Sequence, residues 1–159
     1  MKRILFMSED EARTTLYCAG LSGEYEFYVV GNIEKNQTIQ HHPMCKKFIA
    51  LQNPLIQTDD SQPLADELID IIKNESIDIL LPVSITCLLL IDKHKEQIKK
   101  RVLITPCPTK ESVDLLDDKY NFYLFCKEHD IAHPESVLVK SANEIDPENV
   151  GIDYPFLIK

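Results

Sequence analysis

Glycine is scarce, with four in 159 residues. None follows the first apolar run, where a dinucleotide site needs glycines so that backbone can approach a pyrophosphate at a helix N-terminus. Residues 2–7 lead instead into Ser8-Glu9-Asp10-Glu11-Ala12, which disfavours an NAD or FAD site of that kind. No GxSxG, P-loop, HExxH or EF-hand pattern occurs. Basic charge is also short: 17 Lys and Arg face 26 Asp and Glu, a net −9. General nucleic-acid binding depends on cations that displace counterions from phosphates, so no nucleic-acid partner is expected. A small anion held by a few local lysines remains compatible with that balance.

Long apolar runs are missing too. The longest, residues 77–91, is broken by Asp78, Pro82 and Ser84, short of the roughly 18 residues a bilayer requires. The apolar start at residues 4–7 turns polar at Ser8, too soon for a secretory signal. No membrane partner is expected. The five cysteines (Cys18, Cys45, Cys87, Cys107, Cys126) are odd in number, widely spaced and form no CxxC. They read as reduced thiols of a cytoplasmic protein.

What is present is alternation. Residues 2–7 predict a short buried strand, and residues 12–21 a helix ending near Gly23. Tyr25, Phe27 and Val29 alternate with Glu24, Glu26 and Tyr28, as in a half-exposed strand closed by Gly31. Residues 32–46 are polar and irregular, and residues 47–51 predict a third strand. Ser61 can cap a helix with Pro63 in its first turn and Leu64, Leu68, Ile71 and Ile72 on one face. Residues 77–81 form a β-prone run stopped by Pro82. Ser84 can cap the next helix, which runs into a basic cluster, and residues 102–105 predict a last strand. This rhythm specifies an α/β fold: a mostly parallel sheet with helices on both faces.

After Pro108 the pattern changes. Thr109 can start a helical region reaching about His129 in two pieces, ended by Pro134. Tyr120, Phe122, Tyr123 and Phe125 make it apolar on more than one side, as in a helix wedged between packed units. Residues 136–139 predict a strand, residues 141–153 an acidic loop, and residues 154–159 the start of another strand.

Several constellations have ordinary explanations. Glu9 and Asp10 would suit a phosphoacceptor receiver, but the aspartate after a third strand and the lysine after a fifth are missing; they read as helix N-terminal acids. His41, His42 and Cys45 lack a fourth metal ligand. His129 and His133 straddle a helix end, so no metal site is expected. Residues 93–101 (Lys-His-Lys-Glu-Gln-Ile-Lys-Lys-Arg) are the one basic patch, and cations at a helix C-terminus explain it without a partner. Cys107, between Pro106 and Pro108, is the best thiol candidate, but a buried small side chain is the favoured reading. No catalytic residue is assigned.

From Ile77 onward the sequence resembles the ATP-grasp ligase superfamily, especially its carbamoyl-phosphate-synthetase-like branch. Ile77-Asp78-Ile79-Leu80-Leu81-Pro82 looks like the strand that ends the family's N-terminal domain. Asp118-Lys119 followed by Phe122 looks like the segment opening the ATP-binding part. Glu128-His129-Asp130-Ile131-Ala132-His133-Pro134 looks like the helix exit, with Asp130 and Ala132 where the family usually has glycine and proline. Tyr154-Pro155-Phe156-Leu157-Ile158-Lys159 looks like a strand carrying a lysine. These segments stand in family order, with 40 positions from Lys119 to Lys159.

The resemblance implies a Rossmann-like pre-ATP-grasp domain over residues 1–108, followed over 109–159 by linker helices and the first strands of an incomplete α+β ATP-grasp domain. It implies an enzyme that uses ATP and Mg2+ to activate a small-molecule carboxylate as an acyl phosphate, which an amine or similar nucleophile attacks. Lys119 and Lys159 match the two basic positions that contact ATP phosphates. The family's glycine-rich loop, adenine contacts and acidic magnesium ligands lie beyond the position of Lys159. The expectation is therefore an N-terminal fragment, inactive alone, binding no cofactor tightly and open to self-association through surface that truncation exposes. The alternative is a stand-alone, non-catalytic α/β ligand-binding or receiver-like module.

Overall fold

In the computed structural model, residues 1–21, 23–36, 38–55, 60–141 and 151 are described. Two compact units divide the chain, Met1–Thr109 and Lys110–Lys159.

The first unit is built on β1 (Lys2–Ser8), β2 (Tyr25–Gly31), β3 (Cys45–Ala50), β4 (Ile79–Pro82) and β5 (Leu103–Ile104). They form one sheet in the order β3-β2-β1-β4-β5, and every neighbouring pair is parallel. Between them run α1 (Glu11–Gly20), α2 (Gln62–Asn74), α3 (Ile85–Lys93) and α4 (Lys95–Ile98). The order 3-2-1-4-5 is that of a Rossmann-type sheet, whereas a receiver is ordered 2-1-3-4-5. The α/β class read from the alternation is the one observed.

Both faces of the sheet are covered, and the two-residue period of a strand sorts the core accordingly. Leu5, Met7, Tyr28, Val30 and Leu80 join Leu64, Leu68 and Ile72 of α2, Cys87, Leu90 and Ile91 of α3, and Ile98 of α4. Ile4, Phe6, Phe27 and Val29 face the other way, against Cys18 of α1 and Ile39. This corrects the half-exposed reading of β2. Its exposed character stops at Glu26; from Phe27 to Val30 every side chain is buried, because parallel strands are covered on both faces.

Local chemistry explains the element ends. Asp10 caps α1 by accepting the Arg13 amide at 3.0 Å, and Ser84 caps α3 by accepting the Cys87 amide at 3.3 Å. Ser61 precedes α2, but its side chain makes no cap bond. Its hydroxyl pairs instead with His94 Nε2 at 2.8 Å, in a buried contact. Burial, then the charge of Lys93, holds the His94 imidazole below its ordinary pKa, with Asp66 opposing. At α2's far end Ser76 takes φ 51°, and the Ile77 amide reaches the Ile72 carbonyl at 3.0 Å. That is a Schellman closure made without glycine.

The second unit holds α5 (Lys110–Asp117) and α6 (Lys119–Glu128), the two helical pieces expected after Thr109. Asp118 caps α6, accepting the Tyr120 and Asn121 amides at 2.9 and 2.8 Å. The helix ends six residues before Pro134: Asp130 takes φ 53°, and the Ile131 amide closes on the Cys126 carbonyl at 2.9 Å. The aromatics engage neighbours on the same unit, Tyr123 meeting His133 edge-on at 4.9 Å and Phe125 lying 4.2 Å from His129. Residues 136–139 are not a strand; Val137 and Leu138 stay half exposed, with no partner strand among the described residues. The acidic loop falls mostly outside the described residues, and the terminal strand wholly so.

Candidate functional site

In an open parallel sheet, ligands bind outside the carboxyl ends of the strands where the strand order reverses. Here that point lies between β1 and β4, which pair from Ile4–Ile79 to Met7–Pro82. Two chain segments meet there: Ser8-Glu9-Asp10, leading into α1, and Val83-Ser84, leading into α3. Each helix directs its N-terminal amides toward the crevice, a setting that favours negative charge.

Glu9 supplies that charge. Its side chain is only 11% exposed, and its carboxylate takes Lys35 Nζ at 2.9 Å. The other oxygen lies 3.3 Å from Ser84 Oγ. Asp10, beside it, is occupied by the α1 cap and by Arg13 Nε at 3.0 Å. The sequence reading of two helix-terminal acids thus holds for Asp10, while Glu9 turns into the crevice. Glu9 sits one residue past β1 and Ser84 two past β4, so strand pairing brings together side chains 75 positions apart.

Ser8 closes the floor. The Thr14 hydroxyl donates to the Asp10 carbonyl at 2.8 Å, so the 2.6 Å pair between Ser8 Oγ and Thr14 Oγ1 takes its proton from Ser8. The Ser8 hydroxyl also accepts the Asp10 amide at 3.2 Å. Next to it, Gly31 is the register partner of Ser8. A Cβ at Gly31 would stand 2.2 Å from the Ser8 carbonyl oxygen and 2.8 Å from Asn36 Nδ2. Asn36, fully buried, donates to the Ser8 and Asn32 carbonyls at 3.1 and 2.8 Å. Its Oδ1 is buried without a hydrogen-bond partner.

Cys87 lies under the crevice, with Ser84 Oγ 3.1 Å from its sulfur. Burial pushes its thiol up to about 11 despite the Ser84 hydrogen bond, so it is a neutral thiol at pH 7. Cys107 is also raised, chiefly by burial, and its thiol donates to the Thr105 carbonyl at 3.0 Å. Neither is an activated nucleophile. His42 Nδ1 accepts the Met44 amide at 3.3 Å, and no group of three potential metal ligands occurs among the described residues.

Lys119 opens α6, exposed, with Nζ donating to the Asp117 carbonyl at 3.2 Å. Lys159 lies outside the described residues. Sequence reading passed over the joint role of Glu9, Asn36 and Gly31. Only a glycine at the end of a strand hinted at the close approach there.

Compared with solved structures, the chain superposes on the biotin carboxylase domain of a single-chain bacterial carboxylase with TM-score 0.53 and 14% identity. It superposes on the biotin carboxylase subunit of a pyruvate carboxylase with TM-score 0.50 and 16% identity. The fold is that of the N-terminal region of a biotin carboxylase. The match takes in 80% and 90% of this chain but 29% and 31% of those biotin carboxylase chains, so this chain spans about three tenths of their length. No protein-family model and no curated protein sequence matches it.

Proposed function

We propose that the chain is the N-terminal portion of an ATP-dependent carboxylate-activating ligase and does not turn over ATP by itself. The observation that carries this reading is the fold match, which takes in 80–90% of this chain and less than a third of the biotin carboxylase chains. The second unit supports it. Leu116, Phe122, Leu124, Ile131, Val137 and Leu138 are each 39–53% exposed, an apolar surface suited to cover by further chain or by a second copy.

In the proposed reaction, a carboxylate oxygen attacks the γ-phosphorus of ATP and the bond to the β-phosphate oxygen breaks. ADP leaves and an acyl phosphate forms. An amine or similar nucleophile then attacks the acyl carbon and expels phosphate. Negative charge on the moving phosphoryl group needs nearby cations, and Lys119 and Lys159 are the residues assigned to that contact. The crevice of Glu9, Lys35 and Ser84 is assigned to the acceptor-substrate side. Mg2+ would shield the phosphates in the complete protein; no group of three potential metal ligands occurs among the described residues.

The test is ADP release by the purified 159-residue chain given ATP, Mg2+ and a panel of small carboxylates including bicarbonate. Release at the no-protein blank is expected. Carboxylate-dependent release above the blank would overturn the proposal.

A further inference from the structure

The basic run at residues 93–101 folds into a groove at the opposite end of the sheet from the crevice. Lys95, Lys99, Lys100 and Arg101 line it with Asp78 and the apolar Leu103, around a volume of about 570 Å³. That volume is in the range of small-molecule sites, roughly 300–1,000 Å³.

Its charge is only partly compensated. In a chain with 26 acidic and 17 basic residues, an exposed cation commonly finds a carboxylate. Lys99 does, pairing with Glu96. Lys95, Lys100 and Arg101 have no ion-pair partner among the described residues. Asp78, the one carboxylate lining the groove, is engaged by the Arg3 backbone amide at 2.8 Å. Lys95 and Lys99 stand four residues apart, a like-charge spacing that weakens a helix. The field is felt locally: Glu96 is held below the usual carboxylate range by its Lys99 hydrogen bond, then by the charges of Lys99, Lys100 and Lys95. Cations at a helix C-terminus complement the dipole, but α4 has only four residues, and such a short helix does not account for four cations on one groove.

We infer that this groove is a binding site for a small phosphate-bearing polyanion, separate from the crevice at the strand carboxyl ends. Arg101 offers a planar fork for two phosphate oxygens, and the lysines offer compact charges on flexible stems. Leu103, 65% exposed, leaves an apolar wall for the organic part of such a ligand. The inference is independent of the ligase proposal.

The test is calorimetric titration of the full chain with sodium tripolyphosphate at low ionic strength, where surface charges are least screened. Saturable one-to-one binding is expected, weakened by about tenfold or more in K100E/R101E. Both side chains are exposed, so the fold should persist, and circular dichroism checks it. The neutral pair Lys100→Gln/Arg101→Gln serves if the reversal disturbs folding, and should weaken binding by a smaller factor in the same direction. K46E/K127E, which changes net charge equally at exposed positions elsewhere, should leave affinity within about twofold. Equal weakening by both charge-reversal pairs would show only nonspecific attraction and overturn the site. Absence of saturable binding would also overturn it, leaving the cations as guards of the β5 sheet edge.

Discussion

Gly31→Ala should cost about 3 kcal/mol or more, the upper end for overpacking a tight site. The reason is space rather than backbone freedom: the new Cβ would stand 2.2 Å from the Ser8 carbonyl oxygen. That neighbour is backbone of the central strand and has no rotamer with which to give way. The clash would also press on Asn36, 2.8 Å from the same point, whose amide ties the following turn to Ser8 and Asn32. Because small domains carry only about 5–15 kcal/mol in all, thermal unfolding should move down by roughly 10–20 °C. Gly20→Ala is the matched control. Gly20 is helical, and a Cβ there meets nothing within 4 Å, so a gain of up to about 1 kcal/mol is expected. Equal stabilities for the two variants would contradict the close-approach account.

Phe6→Ala should cost about 3–5 kcal/mol, the range for deleting a buried aromatic side chain. Phe6 is fully buried on the middle strand. Its ring stacks on Tyr17 of α1 at 6.4 Å and tilts against Phe27 of β2 at 5.7 Å. It therefore joins strand, neighbouring strand and covering helix, and its loss leaves a cavity that three elements would have to close. In urea the midpoint should fall at unchanged slope. Leu16→Ala on the outer side of α1, where Leu16 is 71% exposed, should stay within about 0.5 kcal/mol. A Phe6→Ala cost below about 1 kcal/mol would mean that α1 is not held as described.

The strands of the first unit were legible because parallel pairing demands apolar runs, and Ile4-Leu5-Phe6-Met7 is such a run. The error at β2 has the same origin. Glu24 and Glu26 alternate with Tyr25 and Phe27 only at the start of the strand; beyond it α2 and its neighbours cover the second face. Residues 136–139 show the converse: a locally β-prone segment stays irregular where no described strand pairs with it.

The crevice was harder to read, because its geometry depends on register. Glu9 meets Ser84 only because β1 pairs with β4, and Asn36 reaches Ser8 only because β2 lies beside β1. A buried asparagine in a polar stretch gives no periodic signal, so Asn36 was passed over as part of an irregular loop. Ser61 was misread for a related reason: its position before a helix suggests a cap, but His94, 33 residues away, takes its hydroxyl. Lys119 is proposed from its place in a motif, not from geometry, and α6 shows it as an exposed first-turn residue.

The central claim is that this chain is one part of a larger ligase. The most direct measurement is the intact mass, under denaturing conditions, of the polypeptide that the source cells make. The account predicts a mass well above the 18.3 kDa of these 159 residues, with peptides of this sequence at its N-terminal end. A product of 18.3 kDa would contradict it and leave a small α/β binding protein.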